Sequence, residues 1–238
     1  MTTFYHGTDA RFYYDKMDMS PYAEQVAAAF SRDVKEYRPL SPANVIRVAG
    51  LRDVNIALTG GAMDTEVGGG EEQAWNLFNL GTQGAFAFLP YGDVLGRFGY
   101  CGQALTNTQS RVVGDDIVRL PLATVGTNQT DRSVILRALA AGGASPGTTV
   151  NSGADSHNGG AGYLICTANT GALDVAIEES ADGNVPWVAI CTFTQRTGGT
   201  ATGSEVKEVA VGATVKQYLR ATWTISAAAT FFVAFGRR

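Results

Sequence analysis

The sequence predicts a mainly β protein, and three observations support this fold class. First, the run from Gly50 to Asp64 alternates, so that Val54, Ile56 and Leu58 would lie on one face of an extended strand and small, uncharged side chains on the other. Second, only 17% of the 238 residues are charged and 29 are Gly, which is typical of many short strands and turns. Third, the C-terminal half contains short apolar runs at regular spacing. A chain of this length can form one large β domain or two small ones, and we expect two.

The N-terminal section is predicted to be largely extended. Aromatic-rich strands are expected between residues 3 and 19. Ser20-Pro21 can begin a short helix that runs to Ala29, because Ser suits an N-cap and Pro the first turn, but this segment can equally be extended. Residues 31–44 are polar, alternate in charge and contain two Pro residues. Because Pro cannot donate a hydrogen bond within a sheet, this segment is predicted to be a long exposed loop or an edge hairpin.

One helix is predicted, over residues 71–80. Ala74, Leu77 and Phe78 are spaced for one helical face. Two Glu residues at its start would complement the positive end of the helix dipole, and Gly81 can end the helix. Further strands are predicted over residues 85–89, 97–105, 117–125 and 133–136, with a hairpin turn near 114–116.

A Gly-, Ser- and Ala-rich segment, residues 141–162, is predicted to be a linker. It divides the chain into a first domain, 1–140, and a second domain, 163–238. Six short strands separated by turn sequences are predicted in the second domain, which indicates a β-sandwich of the jelly-roll or Ig-like kind. These strand candidates are residues 163–166, 173–178, 187–194, 205–211, 215–224 and 230–235.

Charge and hydropathy exclude several classes of partner. The chain carries 18 basic and 22 acidic side chains, a net charge of −4, so it has no general attraction for nucleic acid or an anionic membrane. No apolar run approaches the roughly 20 residues that span a bilayer, and the N-terminus lacks the features of a signal peptide, so we expect synthesis in a cytoplasm. Cys101, Cys166 and Cys191 are odd in number and lack metal-type spacing, which predicts buried, reduced thiols.

Three short patterns suggest chemistry, and each also has a simpler structural interpretation. Asp155-Ser156-His157 contains the residue types of a hydrolase triad, but adjacent residues cannot point at one another in the required order. His6 lies in a short aromatic strand, where a structural role is more common than a ligand role. Gly114-Asp115-Asp116 can bind a metal or simply form a hairpin turn. The structural interpretation is preferred for all three.

The remaining patterns lie before the predicted helix and in the C-terminal half. Gly68 to Gly70 precedes the helix as a phosphate-binding loop would, but it lacks the Lys-Ser/Thr of a P-loop. Alternation sends the carboxylates of Glu178-Glu179 to opposite faces, which disfavours a glycosidase pair. Trp187, Trp223 and Tyr218 can form a sugar-stacking platform or pack in a sandwich core. We therefore expect no enzyme activity, cofactor or metal, and the alternative to a structural role is a capsid decoration or surface-adhesion protein that binds glycans through the C-terminal module.

Several short, turn-rich motifs occur along the chain. In the first domain they are Phe4-x-His6-Gly7-x-Asp9-x-Arg11, Met17 to Tyr22 and Gly50 to Asp64. In the second domain they are Gly160 to Leu164, Glu179 to Gly183 with Trp187, and Val215 to Trp223. The first set resembles the major tail tube proteins of long-tailed, siphovirus-like bacteriophages, and the second set resembles a module often attached to them.

The resemblance implies a structural virion protein located in the phage tail. It implies a tail-tube β-barrel or sandwich of two packed sheets with a flanking helix, and rings of copies, usually hexameric, that stack into a hollow tube conducting DNA into the host. The implied partners are copies of the chain itself, a tape-measure protein and tail-terminator or distal-tail proteins, with DNA passing without sequence-specific binding and no membrane contact. Three copies with two β domains each could also form a pseudo-hexamer.

The polar segment at 31–44 would reach the next ring in such a tube. Its charged, Pro-limited character indicates exposure. The residues predicted to contribute to ring stacking are Asp33, Lys35, Glu36, Tyr37 and Arg38.

Overall fold

The protein is mainly β, as the sequence predicts. The computed structural model describes residues 9–37, 46–59, 69–110, 112–113, 118–119, 121–143, 145–198 and 202–238. These residues form two compact units. The first unit comprises the described residues within Met1–Tyr22, Gly84–Gly102 and Asp131–Arg238, and the second unit those within Ala23–Gln83 and Gln103–Thr130.

The described residues contain seventeen β-strands, the helix α1 (Gly70–Leu80) and a short 3-10 helix, Ser20–Tyr22. The strands are β1 (Arg11–Tyr14), β2 (Met17–Asp18), β3 (Gln25–Tyr37), β4 (Ile46–Thr59), β5 (Gly84–Leu89), β6 (Phe98–Gln109), β7 (Val112–Val113), β8 (Val118–Arg119), β9 (Leu122–Gly126), β10 (Asp131–Ala141), β11 (Val150–Asn151), β12 (Gly160–Asn169), β13 (Leu173–Ser180), β14 (Val188–Thr192), β15 (Gly203–Val209), β16 (Tyr218–Ile225) and β17 (Ala229–Arg237). All six strands predicted in the C-terminal half are therefore confirmed.

The first unit is built from two antiparallel arrays of strands. The larger has the order β15-β12-β17-β10-β6-β5-β1-β2, to which β6 contributes its residues up to Gly102. The smaller has the order β11-β16-β13-β14. Leu173, Val175 and Ile177 of the smaller sheet share one hydrophobic core with Leu164 and Phe231 of the larger sheet. The C-terminal strands thus form the predicted sandwich.

Strand β17 lies between two hydrophobic cores. Phe231, Val233 and Phe235 belong to the core between the two sheets, whereas Phe232 and Ala234 point to the opposite side and belong to a second core. All five side chains are fully buried. A continuous apolar run of this length is what a strand covered on both faces requires, since neither of its alternating faces meets water.

The second core of the first unit is enclosed by curvature of the larger sheet. Tyr13 packs edge-to-face on Phe232, with ring centroids 5.4 Å apart. At the edge strand β15, Ser204 accepts a 2.7 Å hydrogen bond from the amide of Ala85, and its hydroxyl lies 2.9 Å from the Asp15 carboxylate. These bonds join β15 to the β1–β5 end of the sheet, so the sheet closes around this core.

The second unit contains strands in the order β3-β4-β9-β6, to which β6 contributes its residues from Gln103 onward, and the short pair β7–β8. Val54, Ile56 and Leu58 of β4 are buried, while Asn55 and Thr59 are exposed. This confirms the alternation predicted for this strand. The continuation of the motif, residues 60–64, lies outside the described residues.

The predicted helix is present as α1 and ends at Gly81, whose left-handed backbone (φ 58°) lets its amide bond to the Phe78 carbonyl at 3.3 Å. Ala74 and Leu77 are buried as predicted. Phe78 is not, because it turns away from them and is more than one-third exposed.

In one segment the structure settles an alternative that the sequence left open, and in another it differs from the prediction. Between residues 20 and 29 the extended alternative is correct, since the helical turn ends at Tyr22 and β3 begins at Gln25. Residues 141–162, predicted as a linker, contain β11 and the start of β12 instead. The compact units accordingly divide the chain at other places than the expected domains 1–140 and 163–238.

The small residues of this segment serve close packing rather than flexibility. A Cβ atom on Gly147 would lie 3.1 Å from the Trp223 ring, and one on Gly160 would lie 2.3 Å from the Gly236 carbonyl oxygen. Because composition alone does not distinguish tight backbone packing from a flexible connection, the sequence pattern was ambiguous here.

Candidate assembly surface

The dominant surface feature of the second unit is the long hairpin formed by β3 and β4. The two strands pair antiparallel from Gln25–Thr59 at one end to Tyr37–Ile46 at the other, with one register shift between Arg32 and Val34. Such a shift is a β-bulge, which increases the local twist of the ribbon.

Among the described residues, only one end of this hairpin is part of a wider sheet. Strand β9 pairs with β4 from Asn55 to Leu58 and no further toward the N-terminal end of β4. Within the described residues, the remainder of the hairpin is a two-stranded ribbon, 30–37 paired with 46–54, which we term the arm. At about 3.4 Å per residue the arm is roughly 25 Å long. An isolated two-stranded ribbon is only marginally stable in water.

The described side chains of the arm are mostly exposed. Phe30 is 50% exposed and Val34 51% exposed, and Ser31, Arg32 and Glu36 are exposed as well. Half-exposed apolar side chains on a narrow ribbon are unusual on the surface of a monomer, because a two-stranded ribbon has little surface of its own to cover them.

Strand β3 is also a sheet edge along its whole length. Among the described residues it pairs with β4 alone. A thirteen-residue edge presents a row of backbone groups to any strand that approaches it, and such edges are normally shortened, charged or covered. The part of β3 nearest the sheet has small exposed side chains at Ala27 and Ala29, which would let another strand come close.

The predicted stacking residues lie mainly in this arm. The backbones of Asp33, Lys35 and Tyr37 are part of β3, and the side chain of Glu36 is exposed. Arg38 and the two Pro residues of the segment lie outside the described residues. Residues 31–37 are therefore one strand of an edge hairpin, one of the two predicted alternatives, and their role in ring stacking stays a prediction.

A second exposed apolar group lies on helix α1 and was not predicted. Trp75 is 46% exposed, and its ring centroid is 5.8 Å from that of the partly exposed Phe78. Leu80, at the last turn, is also exposed. The spacing of Trp75 and Phe78, three residues apart, could have identified a second helical face.

The Asp155-Ser156-His157 pattern does not form a triad. The Asp155 carboxylate accepts a 2.7 Å bond from the Gln217 amide, and the ring of His157 lies 3.0 Å from the Thr214 hydroxyl. The Ser156 hydroxyl accepts a 3.2 Å bond from Arg237. Each side chain is thus directed to a different partner, and together they fasten their loop to the segment before β16 and to the end of β17.

The two carboxylates of Glu178 and Glu179 are directed to different partners. Glu178 forms a 2.7 Å ion pair with Arg220, while Glu179 accepts a 2.7 Å bond from the Lys216 amide. This arrangement does not place them as a glycosidase pair.

The three candidate aromatic residues of the C-terminal half do not form one platform. Trp223 points inward and packs edge-to-face on Phe231 at 5.6 Å, with the Arg137 guanidinium 4.8 Å from its ring centroid. Tyr218 is five residues earlier in the same strand and so lies on the opposite face. Trp187 stacks on Arg220 at 4.1 Å.

All three cysteines are buried free thiols, as predicted. Burial raises the pKa of the Cys101 and Cys191 thiols to about 12. In the part of the chain that the structure describes, no three His, Cys, Asp or Glu side chains are grouped as metal ligands, and no helix is long and apolar enough to cross a membrane. His6, Gly68 and the 114–116 pattern lie outside that part.

Buried polar groups in the first unit carried no local sequence signal. Asp93 accepts hydrogen bonds from the Tyr13 hydroxyl at 2.7 Å and from the Leu139 amide at 2.5 Å. Its other carboxylate oxygen is buried and has no partner among the described residues. Burial is the main reason that the pKa of Asp93 lies above its ordinary value. These groups hold the fold together and do not form a catalytic arrangement.

Comparison with known proteins gives similarity only to solved structures, since no family model and no curated protein matches the chain. One similar chain is in the virion of a native gene transfer agent particle, at 15% identity and a TM-score of 0.40, covering 52% of this chain and 95% of that one. Another is the Dit protein (gp 19.1) of SPP1, at 12% identity and a TM-score of 0.36, covering 95% of this chain and 98% of that one. A third is in the baseplate of phage p2, at 8% identity and a TM-score of 0.34, covering 96% and 98%.

Proposed function

We propose that this chain is a structural subunit of the tail of a long-tailed bacteriophage, which assembles with copies of itself into rings. The rings stack into a hollow tube through which phage DNA passes. The observation that carries this proposal is the β3–β4 arm, a two-stranded ribbon with an exposed edge and exposed apolar side chains.

The arm favours assembly because, among the described residues, its edge strand β3 pairs with β4 alone and the side chains of Phe30 and Val34 stay about half exposed. Pairing of β3 with a strand of a neighbouring copy would use the backbone groups of the edge and cover the apolar side chains of Phe30 and Val34. Repeated around a closed ring, the same contact leaves no edge available for uncontrolled aggregation. Six copies per ring, or three copies that each contribute two β modules, satisfy this closure.

The charge of the chain agrees with a conduit for DNA. A net charge of −4 per copy provides no general attraction for the phosphate backbone, so passing DNA is not retained by release of counterions. The partners of such a tube are other copies of this chain, a tape-measure protein inside it, and tail-terminator and distal-tail proteins at its ends. Asp33, Lys35, Glu36, Tyr37 and Arg38 contribute to contacts between rings.

Sedimentation velocity of the full-length chain over a concentration series tests the proposal. The wild-type chain forms ring-sized or larger species as the concentration rises. The double substitution Ala27→Lys and Ala29→Lys places two charges on the exposed edge of β3, where like charges and bulk oppose strand pairing. This variant remains monomeric while its circular dichroism stays that of a folded β protein.

The matched control is Ala189→Lys, which places Lys at an exposed Ala on β14, the edge strand of the smaller sheet in the first unit. It assembles like the wild type. A wild-type chain that stays monomeric at every concentration contradicts the proposal, and equal assembly of the Ala27/Ala29 variant removes the exposed edge of β3 as its basis.

A further inference from the structure

The outer face of the smaller sheet in the first unit carries an open groove. The groove has a volume of about 250 Å³ and is lined mainly by side chains of β13, β14 and β16, among them Asp174, Thr192, Thr222 and Thr224. These residues are neighbours across the sheet, because Ala176 is the register partner of both Thr192 and Thr222, and Asp174 is the partner of Thr224. The result is a shallow patch of hydroxyls with one carboxylate beside them.

An ion pair with unused hydrogen-bonding capacity lies next along the same strands. Arg220 donates to Oε2 of Glu178 from Nε at 2.8 Å and from Nη2 at 2.7 Å. The two side chains are 20% and 23% exposed. In the described part of the chain, neither Nη1 of Arg220 nor Oε1 of Glu178 has a hydrogen-bond partner. The pair therefore presents a donor and an acceptor side by side.

An aromatic ring completes this surface. Trp187 directly precedes β14, and its ring lies 4.1 Å from the guanidinium carbon of Arg220. Trp187 is only partly buried, unlike the aromatic side chains of the sandwich core. Since Glu178 is two residues from Ala176 on β13, the ion pair lies about 7 Å from the groove along the strand direction, and the Trp187 ring contacts the pair at Arg220.

We propose that this surface binds a neutral glycan, and this goes beyond the structural role proposed above. A sugar ring presents pairs of hydroxyls that match a donor and acceptor side by side, and it presents C–H faces that pack on an aromatic ring. The hydroxyls of Thr192 and Thr224 add further donors and acceptors in the groove. Because Glu178 neutralises Arg220 and Asp174 adds a negative charge, the surface does not select an anionic sugar.

The first experiment applies the full-length protein to a microarray of defined bacterial and mammalian glycans, both neutral and charged. The best neutral glycan is then titrated in solution with the wild type and with variants. Trp187→Ala lowers the affinity by about tenfold or more, because it removes the stacking surface. Thr222→Val, which preserves shape and removes one hydroxyl from the groove, also weakens binding.

The matched control is Trp75→Ala, which removes a partly exposed Trp on helix α1 in the second unit and leaves the affinity unchanged. Thermal unfolding establishes that each variant is folded. If Trp187→Ala does not fold, Arg220→Lys, which keeps the charge and loses the planar fork, gives the same test.

Three results overturn the proposal. They are an array without any bound glycan, binding confined to charged glycans, and equal affinity of the wild type and the folded Trp187 and Thr222 variants. None of these outcomes depends on whether the chain forms rings, so they leave the proposed assembly to its own test.

Discussion

Tyr163 donates a 2.7 Å hydrogen bond from its hydroxyl to Oδ2 of Asp131, and both residues are only 1% exposed in the first unit. Arg238, the last residue of the chain, reaches Oδ1 of the same carboxylate from Nε at 3.1 Å and also pairs with Glu208. Burial, together with the Asp131 carboxylate, raises the pKa of Tyr163 well above its ordinary value. This network fastens the C-terminal strand β17 to the start of β10.

Replacement of the Tyr163 hydroxyl destabilises the fold. Tyr163→Phe leaves a buried carboxylate oxygen without its shortest hydrogen bond, so the free energy of unfolding falls by about 1–3 kcal/mol. Urea unfolding followed by fluorescence measures the change. Tyr218→Phe is the control, because the Tyr218 ring is partly exposed and the loss of its hydroxyl costs little. Equal losses of stability from the two substitutions would contradict the role assigned to the Tyr163–Asp131 hydrogen bond.

Removal of the Arg137 guanidinium is expected to cost more than removal of a surface Arg. Arg137 donates to the carbonyls of Ala140, Phe231 and Gly142, at the point where β10 changes register against β17. Burial lowers the pKa of this Arg to about 10. Arg137→Met removes the guanidinium hydrogen bonds to these carbonyls, and we expect a loss of about 2–4 kcal/mol in unfolding free energy.

The control for this substitution is Arg132→Met on the same strand. Arg132 is exposed and lies over the Phe98 ring at 4.2 Å, so its loss changes stability by no more than about 0.5–1 kcal/mol. Similar denaturation midpoints for the two variants would show that the buried Arg137 guanidinium does not stabilise the register change between β10 and β17.

Asp93 gives the stability of the protein a pH dependence of known sign. Its pKa is raised in the folded state, so the folded protein binds this proton more tightly than the unfolded chain does. The contribution of Asp93 to stability is therefore fully present below its unfolded pKa and is lost as the pH rises through its folded pKa. The Asp93→Asn variant does not lose stability in this way, because the Asn amide does not ionise.

The measurement compares the free energies of unfolding of wild type and Asp93→Asn between pH 4 and pH 7. The difference shifts in favour of the Asn variant as the pH rises. Asp182→Asn is the control: hydrogen bonds from Asn184 and Ser180 lower the pKa of Asp182, so its contribution changes mainly below pH 4 and its difference stays nearly constant over this range. A pH-independent difference for Asp93→Asn would refute the assignment.

Deletion of residues 33–38 tests the proposed role of the arm in stacking. The deletion shortens the arm and leaves the part of β3 that lies against the wider sheet, including Ala27 and Ala29, in place. We expect a folded protein that still forms rings but no long tubes, as seen by electron microscopy. Tubes of unchanged length would exclude these residues from contacts between rings, and loss of the rings themselves would show that the edge of β3 beyond Arg32 is needed within the ring.

The sequence was most informative where the spacing of apolar side chains within a single strand or helix indicates its structure. The alternation around Ile56 predicted a half-buried strand, the apolar run within 230–235 predicted a strand, and the segment before Gly81 predicted α1. In each case the period of the side chains reports burial directly, without knowledge of the neighbouring strand.

The remaining features depend on residues far apart in the sequence. The edge character of β3 follows from the pairing of 25–37 with 46–59, which local composition does not determine. The inward position of Trp223 and the outward position of Trp187 follow from strand register in the same way. Asp93, Asp131 and Arg137 are buried polar groups whose partners are supplied by other strands, so no local pattern identified them.

The most direct test of the assembly is negative-stain electron microscopy of the purified full-length chain across a concentration series. The proposed function predicts rings with a central hole, and stacked rings or hollow tubes as the concentration rises. Uniform monomers or small compact oligomers at every concentration would contradict it and would favour a decoration or adhesion protein that acts through the proposed glycan site.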